Sequence, residues 1–376
     1  MTPTETTGAA TIARDEAFAR IRLLRSPNIG PVGYRQLLHR FGDAGSALAA
    51  LPDLAGRGGT PYRAAPEARI SAEITAAKRA GARYLFHDSP DYPPLLAELE
   101  SAPPILMLRG DVTLAARPAV AVVGARNASA AAVKLARQFA GALAEAGFTV
   151  VSGLARGIDG AAHQGALSTG ATIGVIASGI DITYPPEHAD LQERVAAEGL
   201  LLAEQPPGTE PLARHFPSRN RIIAGLAAGT LVVEAAPKSG SLITARLAGE
   251  YGREVMAIPG SPLDSRSHGC NQLIRDGAVL VQSPDDVIEL LSGFDGRPRS
   301  AFREAAPVYA AVDDPANRPT DTPADIGALL TTAPIAVDEL IRQSGTGAAA
   351  VQLALLELEL GGKLVRHAGG RVSLAG

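Results

Sequence analysis

From Ala119 onward the apolar residues fall in short unbroken runs: AVAVV (119 to 123), FTVVS (148 to 152), TIGVIA (172 to 177), LLLAE (200 to 204), TLVVEA (230 to 235), EVMAIP (254 to 259) and AVLVQ (278 to 282). Continuous rather than alternating runs mark strands covered on both faces. Between them lie stretches of helical period such as SAAAVKLARQFAGALAEAG. The alternation predicts a doubly wound, mostly parallel α/β sheet.

The flanks read differently. Ala17, Ile21 and Leu24 recur at helical spacing, SPNIGPVG interrupts, and YRQLLHRF resumes the pattern. This predicts two helices joined by a Pro/Gly turn, either a short helical bundle or a hairpin whose turn amides face a DNA phosphate. A linker, PDLAGRGGTPYRAAP, leads to a helix ending near Ala80, a strand ARYLFH and a turn-rich segment, DSPDYPPLLAELESAPPILMLRGD. Near the C-terminus IGALL, VDELIRQS and AAAVQLALLELEL are three helical patterns, and KLVRHAGGRVSL is two strands about a Gly-Gly turn. That is a winged-helix plan. Its third helix carries Glu357 and Glu359 and no Lys or Arg, which argues against a DNA-reading role. The expected organisation is a disordered tail (1–12), a helical domain (13–65), the α/β domain (66–295), a flexible tether (296–322) and the winged helix (323–376).

Composition narrows the classes. Hydrophobic residues make up 46% of the 376 and charged residues 20%, a globular balance. The single cysteine, Cys270, excludes an intrachain disulfide framework and reads as a buried small hydrophobe. With no basic-then-apolar start and no apolar run of membrane-spanning length, a cytoplasmic protein without a membrane partner is expected. The net charge of -4 confines any nucleic-acid binding to a local patch. From Leu212 to Arg246 four arginines and one lysine face a single acid, Glu234, and that stretch is the candidate patch.

In a doubly wound sheet the loops at the carboxyl ends of the strands carry the chemistry. VVGARNAS offers Gly124 for close backbone approach, Arg126 as a forked donor, Asn127, and Ser129 as a helix cap. SGLARGIDGAAHQGAL brings Ser152, Gly153, Arg156 and Asp159, the last read as a cap or dipole partner, with His163 read as a packing or hydrogen-bonding residue. ASGIDITYPPEH reads as a rigid turn whose Tyr184 either faces a base or covers the sheet. HFPSRNRIIAGL holds Phe216, Arg219, Asn220 and Arg221; two arginines two residues apart point to different sides of a helix, so one is expected to touch ligand and the other to be structural. In VEAAPKSGSLITARLA, Lys238, Ser239, Gly240, Ser241 and Thr244 crowd a helix start, which favours a phosphate. Thr244 lies about a turn inside and can bond back to its own backbone. Neither a nucleoside-triphosphatase loop nor a Gly-x-Gly-x-x-Gly fingerprint is present, and no histidine spacing suits a metal. No cofactor, metal or catalytic constellation is expected.

These loops, in this order, together with IPGSP and GCNQLIRDGA, resemble the DNA processing protein A family (DprA, also called Smf) over about residues 80 to 290. The resemblance implies a Rossmann-like domain between an N-terminal helical (SAM/HhH-like) domain and a C-terminal winged helix. It implies sequence-independent binding of single-stranded DNA, a homodimer formed through the Rossmann-like domain, and loading of the RecA recombinase in natural transformation. It places DNA contacts on Arg126 and Lys238, with Gly124, Asn127, Ser152, Gly153, Arg156, Phe216, Arg219, Asn220, Ser239, Gly240, Ser241 and Thr244 at matching motif positions. Ala125 stands where many members have serine, which removes one hydroxyl contact. The competing class is a nucleotide-binding or nucleotide-cleaving Rossmann-like hydrolase, whose Pro-Gly-Gly-x-Gly-Thr loop is replaced here by PKSGSLIT. A third reading, an adaptor acting through protein contacts, would let residues 297–376 be deleted without loss of DNA binding.

Overall fold

A computed structural model describes residues 12–56, 62–293, 325–367 and 369–375. The expected tether (296–322) and almost all of the expected tail (1–12) lie outside them. The chain forms two compact units, one built around residues 72–300 and the other from the chain before and after it.

In chain order the elements begin with α1 (Arg14–Leu24), α2 (Pro31–Phe41), α3 (Ala44–Gly56) and α4 (Glu67–Arg79). The central run is β1 (Arg83–Phe86), α5 (Pro94–Ala97), β2 (Ile105–Gly110), β3 (Ala119–Val123), α6 (Ala130–Glu145), β4 (Thr149–Ser152), α7 (Ile158–Thr169), β5 (Thr172–Gly179), α8 (Ala189–Glu198) and β6 (Leu200–Gln205). It continues with α9 (His215–Leu226), β7 (Gly229–Val232), α10 (Gly240–Glu250), β8 (Glu254–Ala257), α11 (His268–Arg275), β9 (Val279–Leu280) and α12 (Pro284–Ser292). The C-terminal run is α13 (Ile326–Leu329), β10 (Ile335–Ala336), α14 (Val337–Ser344), α15 (Ala348–Leu360), β11 (Leu364–His367) and β12 (Arg371–Leu374).

The central sheet has nine strands in the order β1-β2-β6-β5-β4-β3-β7-β8-β9. All pairings from β6 to β9 are parallel, and β1 and β2 add an antiparallel edge. Both faces are covered, which is why the strands read as unbroken apolar runs. Val120, Val122 and Val150 pack against α6 and α7, while Ala121, Val123 and Val151 pack against α9, α10 and α11. Chain order reverses between β3 and β7, with α6 and α10 leaving these strands on opposite faces. That is the topological switch point, where open α/β sheets hold ligands.

Two expectations are corrected. The turn-rich segment before Asp111 contains the buried strand β2, whose run ILML is as continuous as the others but is preceded by two prolines that obscure it. The N-terminal linker begins later than expected, because α3 runs through Pro52 to Gly56.

In the other unit the two ends of the chain share a core. Leu356 and Leu360 of α15 are buried with Leu23, Tyr34, Leu37 and Leu51. Gln36 Nε2 donates to Gln352 Oε1 at 2.6 Å, and Asn28 Nδ2, in the turn between α1 and α2, donates to Leu360 O at 3.1 Å. The opposite face of α15, with Val351 and Leu355, fills the core against α13, α14 and the hairpin. Cutting the chain at residue 296 would therefore also strip two leucines from the N-terminal helices, so that deletion does not isolate the winged helix.

Candidate nucleic-acid interface

At the carboxyl ends of the strands the sequence motifs converge, but with divided labour. Gly124 follows β3 and has no room for a side chain: a Cβ there would lie 2.5 Å from Ile158 Cγ1. Ala125 N donates to Glu234 O at 2.7 Å, which seats the loop on the end of β7. Ser129 caps α6 by accepting from Ala132 N at 3.1 Å, as its position predicts. Between them Arg126 and Asn127 are exposed. The Arg126 guanidinium lies 4.6 Å from the centroid of the Phe216 ring, within cation–π range. Phe216 in turn meets Tyr184 at 5.8 Å between centroids, and Tyr184 is 42% exposed. A cation and a ring from two separate loops and a second ring from the first turn of α9 thus form a continuous rim.

Lys238 is the second exposed cation, in the loop before α10. Its φ of 69° is a left-handed conformation that side chains rarely adopt. Ser239 caps α10, accepting from Ser241 N and sharing a 2.8 Å hydroxyl contact with Ser241. Asn220 Nδ2 donates to Gly240 O at 3.3 Å and ties α9 to this turn. Among the described residues neither Arg126 nor Lys238 has a carboxylate within ion-pair distance.

The remaining motif residues lie beneath the rim. Ser152 is buried and donates to Val122 O at 2.6 Å. Ser241 and Thr244 are buried as well. Arg219, only 5% exposed, donates through Nη1 to Val175 O at 2.9 Å and faces the buried Asp159. Asp159 accepts from Gly153 N at 3.2 Å. A Cβ on Gly153 would sit 1.5 Å from Arg219 Nη1, so any side chain there would push the guanidinium out of its place. Burial pushes the Arg219 pKa down to about 10, which leaves it charged at neutral pH, and burial raises that of Asp159.

The structure corrects the expectation that one of the two arginines of α9 faces outward to ligand. Arg221 is pinned to Glu204 and Ser101 O, so both are held by the protein. The cationic stretch from Leu212 to Arg246 is reduced further because Arg246 pairs with Glu250. Arg156 is exposed but pairs with Glu187. A shallow recess, far too small for a ligand, lies beside the rim, lined by Gly153, Ala155, Ser178, Tyr184, Phe216 and Arg219.

The second loop rests on His163. It is fully buried, its Nε2 accepts from Leu154 N at 3.3 Å, and its Nδ1 meets Thr172 Oγ1 at 2.8 Å. Thr172 Oγ1 donates to Val150 O, so the bonds require a neutral ring protonated on Nδ1. Burial depresses its pKa to about 3 from an ordinary 6.5. A group held neutral in this way contributes stability in full above its unfolded value and loses it as pH falls through the interval below. The melting temperature is therefore expected to decline as pH drops from about 6.5 toward 3, and less steeply in His163→Gln over the part of that range above the carboxylates. Equal slopes in the two proteins would refute it.

Cys270 is buried, and its Sγ donates to Val232 O at 3.6 Å, as a small core hydrophobe. Among the described residues no cluster of three or more His, Cys, Asp or Glu side chains could hold a metal ion. No described helix is long and apolar enough to cross a membrane. The residue that sequence reasoning passed over is Glu234; its signal was to be the lone acid in a cationic stretch directly after a strand.

Comparison with known proteins gives the same family for three successive stretches of the chain. Residues 83–292 match the model described as DNA recombination-mediator protein A, residues 14–76 a DprA-like N-terminal HHH domain, and residues 310–370 a DprA winged helix domain. Protein Smf of a Synechocystis species is 36% identical over 315 residues, covering 77% of this chain and 79% of its own. DNA processing protein DprA of Streptococcus pneumoniae is 48% identical over 198 residues, 52% of this chain and 70% of its own. An X-ray structure of DNA processing protein A from Streptococcus pneumoniae superposes with a TM-score of 0.64 at 36% identity, over 74% of this chain and 98% of that one. DNA processing protein A from Helicobacter pylori, described with its single-stranded DNA binding mode, superposes at 0.51 and 30% identity, over 56% of this chain and 95% of that one.

Proposed function

Because the chain belongs to the DNA processing protein A (DprA/Smf) family, we propose that the rim formed by Arg126, Phe216, Tyr184 and Lys238 binds single-stranded DNA without sequence preference. The observation that carries this reading is the pair of exposed cations without carboxylate partners, one of them stacked on an aromatic ring. A single-stranded backbone needs spaced positive charges, and unpaired bases offer π-faces to aromatic rings. Separated cations and a two-ring platform supply both. Gly124, Asn127, Gly153, Arg156, Asn220, Ser239 and Gly240 shape or flank this rim. Ser152, Arg219, Ser241 and Thr244 act from beneath it.

The proposal extends to a cytoplasmic homodimer assembled through the Rossmann-like domain (66–295) that loads the RecA recombinase during DNA uptake and recombination, without catalysis. Family membership supports this part, and the Helicobacter pylori protein, described with its single-stranded DNA binding mode, supports the DNA-binding part alone. The helical domain (13–65), the tether (296–322) and the winged helix (323–376) complete the proposed organisation.

Fluorescence titration of single-stranded and duplex oligonucleotides of mixed sequence tests the reading. Single strands are expected to bind more tightly, with little dependence on base composition. Phe216→Ala should lose the stacking of a base, about 1–3 kcal/mol. Preference for the duplex, or an unchanged Phe216→Ala, would overturn it.

A further inference from the structure

The switch-point crevice between β3 and β7 is where a fold of this kind seats a ligand phosphate, against the start of the helix that follows β3. Here the seat is filled from within. Glu234, at the end of β7, is 6% exposed and reaches across the crevice to the N-terminus of α6. Ser129 N donates to its Oε1 at 3.0 Å and Ser129 Oγ donates to its Oε2 at 2.6 Å. A backbone N–H and a hydroxyl at a helix start are the donors that a phosphate monoester would use. Arg266 on a neighbouring loop is close enough to feel the same carboxylate. The backbone closes the crevice too, through the bond from Ala125 N to Glu234 O.

We infer that Glu234 is a built-in anion that shuts the switch-point seat to free phosphate and to mononucleotides. It acts as a specificity determinant. Two like charges cannot share one pair of donors, so an incoming phosphate must displace a carboxylate that is already desolvated and doubly bonded. Nucleotides are turned away there, at the start of α6. This inference does not depend on how DNA is bound, so DNA affinity is not its readout.

The test uses the full chain with inorganic phosphate and AMP as probes. Glu234→Ala, checked for folding by circular dichroism, is expected to bind both at least about tenfold more tightly than the wild type, the worth of one charge-assisted hydrogen bond. In the wild type the Ser129 amide resonance is expected to stay unmoved by either probe. A shift of that resonance on addition of phosphate or AMP overturns the inference, as does a folded Glu234→Ala that gains no affinity. Should Glu234→Ala fail to fold, the wild-type resonance decides alone.

Discussion

Arg126→Ala is expected to weaken binding of a single-stranded oligonucleotide by about tenfold or more, the loss of one charge-assisted contact of about 1.5–3 kcal/mol. It should also flatten the plot of log affinity against log salt by about 0.7 per phosphate contact removed. The salt slope matters more than the affinity, because a merely structural arginine would change one without the other. Lys238 calls for a different substitution. At a φ of 69° alanine would keep the strain, whereas glycine removes the charge and relaxes the backbone together. Lys238→Gly should therefore reproduce the loss of slope in a protein at least as stable as the parent. The double variant should lose both contacts. Unaltered affinity and slope in both single variants would remove these residues from the interface.

Arg219→Met is expected to act on the fold instead. The guanidinium is the counter-charge of Asp159, and both groups are buried. Removing one partner of a buried pair leaves the other uncompensated, at a cost of about 3–5 kcal/mol. Chemical denaturation should show a loss of this size in Arg219→Met. Adding Asp159→Asn should recover much of it, because the stranded charge is then gone. A stable Arg219→Met that had lost only DNA affinity would instead return Arg219 to the rim.

Arg126 and Arg219 mark what the sequence can and cannot reveal. Both stand in glycine- or asparagine-containing motifs and both match the family's pattern, yet one is solvent-facing and the other lies beneath Gly153. Residue type and local spacing are alike at the two positions. The difference comes from Asp159, which is sixty residues away in the chain and supplies the charge that draws Arg219 inward. The parallel strands were legible because burial on both faces leaves an unbroken apolar run. Strand β2 was hidden by prolines on its approach, and the end of α3 by a proline within it. The role of Glu234 needed the sheet order, since only that places β7 beside β3.

The shared core of the terminal helices has a consequence for synthesis. Gln36 and Gln352 are bonded across 316 positions, and Leu356 and Leu360 complete a core begun at Leu23. At about 5–20 residues per second, the N-terminal helices leave the ribosome roughly fifteen to sixty seconds before their last packing partners exist. During that interval the apolar faces of the N-terminal helices lack the two leucines that later cover them.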